Sequence, residues 1–218
     1  GSKAFSKDLM KKYGIPTAAY ENFDDPDKAL AYLETAEFPI VLKADGLALG
    51  KGVLICNTLE EAKDGVREIM LDKHFGAAGN RMVIEEFMTG REVSVLSFVD
   101  GKTIKCMTSA QDHKRALDGD QGLNTGGMGT FSPSPFYTPE IDEFCQKHIY
   151  QPTVDAMAAE GRPFKGVIFF GLMLTEKGPK VLEYNARFGD PEAQVVLRRI
   201  KNDIVEVFEA CIDGTLDQ

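Results

Sequence analysis

The stretch "VLKADGLALGKGVLIC", residues 41–56, sets two short aliphatic runs on either side of a connection containing Gly46, Gly50 and Gly52. Lys43 falls near the end of the first run and Lys51 just before the second. Short β-branched runs read as strands, so this connection joins strand to strand. That excludes two common phosphate loops. A Walker A loop needs Ser or Thr after its lysine, where Gly52 stands, and a dinucleotide fingerprint leads into a helix, where a strand follows. Two readings stay open. The glycines let backbone N–H groups approach a phosphate whose charge Lys43 and Lys51 would balance, or they form an ordinary glycine-rich turn. Lys43 lies inside a run that reads as buried, where an unpaired ammonium is costly, so an anionic partner is expected for it, from protein or ligand.

The rest of the chain reads as strands backed by helices. Phe5, Leu9 and Tyr13 recur at helical spacing before Gly14-Ile15-Pro16, which predicts a short amphipathic helix over 3–13. Asp25-Pro26 opens a second helix, with Asp as cap and Pro at the first helical position. Thr58-Leu59-Glu60-Glu61 is a capping box that opens a third. Residues 39–44, 52–56 and 81–87 read as strands, and 93–99 with 102–108 flank Asp100-Gly101, a strong hairpin signal. Residues 109–137 keep no period and are rich in glycine, so a long irregular segment is expected. A helix is predicted over 139–161, strands over 164–175 and 180–184, and a last helical region capped by Asp190-Pro191 and broken near Asn202-Asp203.

At 218 residues and 43% hydrophobic, the chain can bury a proper core as one large or two small domains. Its formal net charge of -9 argues against nucleic acid or an anionic membrane as partner, since both would be repelled at long range. Four cysteines without a CxxC pair and three histidines make poor zinc or disulfide spacing. With no signal peptide and no apolar run of spanning length, a reduced, cytoplasmic protein is expected.

Three further stretches concentrate chemistry. In "VIEEFMTGREVSV", Glu85, Glu86 and Glu92 stand at a strand junction that can offer backbone groups to a purine and a carboxylate to ribose, or that can simply be a charged edge. In "VLEYNARFGDPEAQ", Glu183 and Asn185 share one side of a strand, so their oxygens can converge on a hard cation such as magnesium. Arg187 can clamp a phosphate bidentately, or pair with Glu183 instead. In "QDHKR" followed by "NTGGMG", Asp112, His113, Lys114 and Arg115 precede a turn rich in N–H groups that can seat an anionic substrate or stabilise an oxyanion, or that forms a charged surface loop.

Together, "GSKAFSKDLM", "KADGLALGKGV", "VIEEFMTGREVS", "SAQDHKR", "NTGGMG" and "EYNARFGDPE" resemble, in family order and over nearly the full chain, the ATP-grasp family and within it the phosphoribosylamine-glycine ligases, or glycinamide ribonucleotide synthetases. The resemblance implies an α+β, ATP-grasp fold of two subdomains gripping ATP between antiparallel sheets. A helix over 1–18 would pack on the central subdomain, 19–88 would form the lid and 89–218 the central, catalytic subdomain. Lys3 and Lys43 would reach the nucleotide phosphates, and residues 44–52, with Gly46, Lys51 and Gly52, would cover them. Glu85 and the backbone near Glu86 and Phe87 would hold adenine, and Glu92 the ribose.

By the same resemblance Glu183 and Asn185 would hold Mg2+ (or Mn2+), and Arg187 would meet the transferred phosphoryl group, with Asp112 and Lys114 as further catalytic candidates. His113, Arg115, Asn124, Gly126, Gly127 and Asp190 would bind substrate. The implied reaction joins glycine to 5-phosphoribosylamine through glycyl phosphate, with ATP consumed. The family's pattern includes a domain before "GSKAF" and another after the last helix, so an isolated core that binds MgATP with little or no turnover is expected. Gly1-Ser2 fits native residues or a cloning remnant equally. The alternatives are another ATP-grasp carboxylate-amine ligase, disfavoured by QDHKR and RFGDPE, and a nucleotide-binding module without activity, for which Glu183, Asn185 and Arg187 would have no use.

Overall fold

The computed structural model describes residues 2–46, 52–72, 74–113, 115–117, 121–124 and 129–218. The chain divides into two compact units: Gly1–Lys12 with Thr17–Met88, and Tyr13–Pro16 with Thr89–Gln218.

The first unit runs α1 (Lys3–Lys12), β1 (Tyr20–Phe23), α2 (Pro26–Leu33), β2 (Ile40–Ala44), β3 (Val53–Cys56), α3 (Leu59–Val66) and β4 (Met82–Glu86). A π-helical turn over Arg67–Leu71 prolongs α3. The strands pair antiparallel in the order β1-β4-β2-β3. Strand alternation sorts β2 and β4 cleanly between two faces. Ile40, Leu42, Ala44, Met82 and Ile84 pack against Ala29 and Leu33 of α2 and Ala62 and Val66 of α3. The caps foreseen for these helices are made: Asp25 accepts from Asp27 N–H at 2.9 Å and Thr58 from Glu61 N–H at 3.3 Å. The opposite face of β2 and β4 carries Val41, Lys43, Val83 and Glu85, and α1 lies over it.

The N-terminal helix belongs to this first unit, not to the 89–218 part that was expected to carry it. Asp45, just past β2, explains the placement. Ser2 caps α1, its Oγ accepting from Phe5 N–H at 3.0 Å, and Asp45 Oδ1 ties that end to β2 by accepting from Ala4 N–H at 2.6 Å and from Ser2 Oγ at 2.9 Å.

The second unit runs β5 (Arg91–Asp100), β6 (Ile104–Cys106), β7 (Gln111–Asp112), β8 (Arg115–Leu117), β9 (Gln121–Asn124), β10 (Thr130–Phe131), α4 (Pro139–Cys145), α5 (Gln151–Ala159), β11 (Lys165–Thr175), β12 (Gly178–Asn185), α6 (Glu192–Val196) and α7 (Ile204–Asp213). A π-helical turn, Gln146–Tyr150, joins α4 to α5 into the long helix the pattern predicts. The main sheet is antiparallel in the order β12-β11-β5-β6. On one face Leu96, Phe98 and Phe169 pack with Val196 and Cys211 from the last helices. On the other, the Phe170 ring lies tilted 4.7 Å from Tyr150 and edge-to-face 5.5 Å from Tyr184.

Three expectations change here. The segment 109–137 is not simply irregular: β7 pairs with β10 and β8 with β9. The turn is centred one residue later than Asp100-Gly101: Val99 pairs with Ile104, Asp100 N–H donates to Thr103 O at 3.2 Å, and the Asp100 carboxylate accepts from the N–H groups of Lys102 and Thr103. Asp190 does not cap α6; the cap residue is Pro191, and the Asp190 carboxylate instead accepts from Gln194 Nε2 at 2.6 Å. Among the described residues no helix is long and apolar enough to cross a membrane.

Candidate functional site

In the first unit the site grows from strand register. Val41 on β2 stands opposite Glu85 on β4, so Lys43, two residues on, shares the Glu85 face one row away. The Lys43 ammonium lies 3.0 Å from Glu85 Oε2. The same oxygen takes a second ammonium, that of Lys7 from α1, at 3.2 Å. Lys7, Lys43 and Glu85 are 2%, 8% and 3% exposed, so all three charges sit in low dielectric, where they interact strongly. Lys7 also donates to Thr17 Oγ1 at 2.7 Å. Burial, foremost, and the neighbouring Lys43 charge push the Lys7 ammonium down to about 8, against the pull of Glu85. The anionic partner that Lys43 requires is therefore supplied by the protein. Two ammoniums on one carboxylate still leave an excess positive charge, and Glu85 Oε1 is buried with no hydrogen-bond partner among the described residues. The two ammoniums suit an anionic group, while the unsatisfied Oε1, an acceptor, suits a hydrogen-bond donor.

The segment after β2 is anchored at its start. Lys3 Nζ donates to the carbonyls of Ala44 at 2.9 Å and Gly46 at 3.1 Å, and Gly52 O accepts from Ala44 N–H at 2.9 Å. Gly46 has a packing reason to be glycine, since a Cβ there would come within 2.7 Å of the Ala78 methyl. At the end of β4 the Glu86 N–H donates to Ala19 O at 2.8 Å, and the Glu86 carboxylate accepts from Ala19 N–H at 3.2 Å. That N–H is taken by the strand edge, and Phe87 follows half-buried. Lys51 lies outside the described residues.

In the second unit Glu183 stands opposite Gly171 and Asn185 opposite Phe169, on the sheet face away from Tyr184. The Asn185 amide nitrogen donates to Glu183 Oε1 at 3.2 Å, which holds the two side chains next to each other. The amide and carboxylate oxygens there suit a small hard cation that completes its shell with water and phosphate oxygens. Among the described residues no group of three or more His, Cys, Asp or Glu forms a protein cage for a metal. The exposed Arg187 guanidinium donates to Phe188 O at 2.8 Å. Glu92 is exposed on β5, opposite Met173. Asp112 pairs with Thr130, and the exposed His113 donates its N–H to Gly129 O at 2.8 Å. Arg115 stands opposite Asn124 in the β8–β9 register. Lys114, Gly126 and Gly127 lie outside the described residues.

Two buried charged residues were not foreseen, Lys7 in the first cluster and Glu192 in the second unit. Lys7 sits three residues after the buried Ala4 and three before the buried Met10. A lysine on the apolar stripe of α1 was a legible signal. Glu192 is 6% exposed and accepts from Ser94 Oγ at 3.2 Å, with its carboxylate against Gly189. It lies within the quoted "RFGDPE", but its burial depends on how the loop before α6 folds back.

Two α+β units, each built on an antiparallel sheet, one with buried lysines beside a glycine-bearing strand connection and the other with paired oxygen donors on its last strand, define the ATP-grasp class. The model of the phosphoribosylglycinamide synthetase ATP-grasp (A) domain matches residues 1–193, and the chain belongs to that family. It is 52% identical over its full length to the phosphoribosylamine--glycine ligase of Haemophilus influenzae, covering 51% of that protein. It is equally 52% identical to the bifunctional purine biosynthetic protein ADE1 of Schizosaccharomyces pombe, covering 28% of it. Among solved structures, the phosphoribosylamine--glycine ligase of Thermotoga maritima superposes with a TM-score of 0.89 at 35% identity, over 98% of this chain and 54% of that one. The chain thus spans about half the length, or less, of the curated relatives it matches.

Proposed function

We propose that this chain is the ATP-binding core of a ligase that joins glycine to 5-phosphoribosylamine, giving glycinamide ribonucleotide, ADP and phosphate. The observation that carries this reading is the buried Lys7–Glu85–Lys43 cluster, whose excess positive charge lies beside the glycine-bearing segment after β2. Lys43 would meet the nucleotide phosphates, and Lys3 would hold residues 44–46 in place beneath them. Adenine would be held by Glu85 and by the backbone beyond Glu86 and Phe87, and Glu92 would meet the ribose. Glu183 and Asn185 fit Mg2+ (or Mn2+), which would neutralise charge between the β- and γ-phosphates.

In this reaction a glycine carboxylate oxygen attacks the γ-phosphorus, ADP leaves, and glycyl phosphate forms. The phosphoribosylamine nitrogen then attacks the acyl carbon, loses a proton and expels phosphate. Catalysis of this kind rests on positioning and charge neutralisation, which lysines and an arginine provide without a covalent nucleophile. Arg187, exposed beside the Glu183–Asn185 pair in sequence, would steady the transferred phosphoryl group. Asp112 and Lys114 are proposed to assist it, and His113, Arg115, Asn124, Gly126, Gly127 and Asp190 to hold the substrates. Phosphate release measured with ATP, phosphoribosylamine and a panel of carboxylates tests this function. Because little or no turnover is expected of this core, MgATP binding that depends on Lys43 is the supporting result, any release should be slight and confined to glycine, and release with a different carboxylate would replace glycine as the substrate.

A further inference from the structure

We propose that Lys7 is a positioning residue for the nucleotide: by sharing the Glu85 oxygen that also holds Lys43, it leaves the Lys43 ammonium with charge to offer a phosphate. The inference rests on the phosphate-binding reading of Lys43 above.

A single Lys43–Glu85 pair would be electrically neutral, and its attraction for a phosphate would be largely cancelled within the pair. Lys7, 3.2 Å from the same Oε2, adds a second positive charge at that carboxylate, so Lys43 no longer has it to itself. The arrangement is held from three sides. Glu85 comes from β4, Thr17 accepts from Lys7 Nζ at 2.7 Å, and the Tyr20 ring of β1 lies 5.8 Å from that nitrogen. For stability alone a methionine or leucine would serve this 2%-exposed position at lower cost, because burying an ammonium forfeits its hydration.

The charge is also titratable. The groups facing Lys7 are Glu85 and Glu86 of β4, Lys43 of β2 and Tyr20 of β1, and burial with Lys43 outweighs the two carboxylates in lowering its affinity for the proton to about 8. Protonated Lys7 is the form that helps anion binding. Affinity for ATP is therefore highest below that value and falls as the pH rises through it.

The test is a calorimetric titration of the chain with MgATP at about pH 7 and about pH 9, for the wild type, Lys7→Met and Lys43→Ala. The wild type is expected to lose about tenfold in affinity over this range, a comparison that needs no variant to fold. Lys7→Met is expected to bind about tenfold more weakly at the lower pH and to match the wild type at the higher one, so its profile is flat. A wild-type profile that is already flat, or a Lys7→Met protein with wild-type affinity, overturns this inference while a Lys43→Ala defect leaves the phosphate reading standing. A wild type that binds no ATP overturns both.

Discussion

Lys43 on β2 and Glu85 on β4 meet at 3.0 Å across an antiparallel pair, one row out of register on the sheet face that α1 covers. The carboxylate is the hub of that face, since Lys7 reaches the same oxygen. Replacing it by an amide leaves two buried ammoniums against a neutral group. Glu85→Gln is expected to lower the stability of the chain by about 3 kcal/mol or more, read from denaturant midpoints. A loss within experimental error would mean that the two lysines do not depend on it.

Lys7 also ties stability to pH. Its affinity for the proton drops from the ordinary 10.5 to about 8 in the folded chain. Between those values the unfolded chain binds more protons than the folded one, so this group's contribution to stability rises with pH and is lost as the pH falls through about 8. The full span is worth about 3 kcal/mol. Unfolding curves between pH 7 and pH 10 are expected to show the wild type gaining stability relative to Lys7→Met as the pH rises.

In the second unit Gly189 is held to its size by what covers it. A Cβ there would strike the Glu192 carboxylate and come within 2.8 Å of the Phe169 ring. Gly189→Ala is expected to cost about 1–3 kcal/mol. Adding Glu192→Ala removes the main obstruction, so the double variant is expected to be more stable than the sum of the single losses, a coupling that a double-mutant cycle measures.

The paired donors on β12 lead to a metal prediction. Removing either oxygen, in Glu183→Ala or Asn185→Ala, is expected to raise the magnesium concentration needed for ATP binding by about tenfold or more. Paramagnetic relaxation with Mn2+ in place of magnesium gives a direct readout. Unchanged metal dependence in both variants would contradict the assignment.

What the sequence made legible was local. Thr58 and Asp25 cap their helices within a few residues, and β2 and β3 announce themselves by short β-branched and aliphatic runs, so each could be read without knowing its neighbours. Features set by distant contacts were harder. The β1 strand, "YENF", is polar and short and becomes a strand by pairing with β4. The paired strands β7 and β10 are two residues each and exist because their segments meet across the loop. Asp190 has the composition of a cap, yet the helix starts one residue later and its carboxylate turns to Gln194. The same divide runs through the site. Lys43 and Glu85 were legible as candidates, while their direct pairing follows from the β2–β4 register and Lys7 as its third member from the strands α1 covers.

The most direct test of the central claim is titration of the chain with MgATP, with and without the Lys43→Ala substitution. A charge-assisted phosphate contact is worth about 1.5–3 kcal/mol, so the variant is expected to bind ten- to a hundredfold more weakly while GTP binds poorly to both. Equal ATP affinity in the two proteins would contradict the assignment of this buried lysine cluster to the nucleotide phosphates.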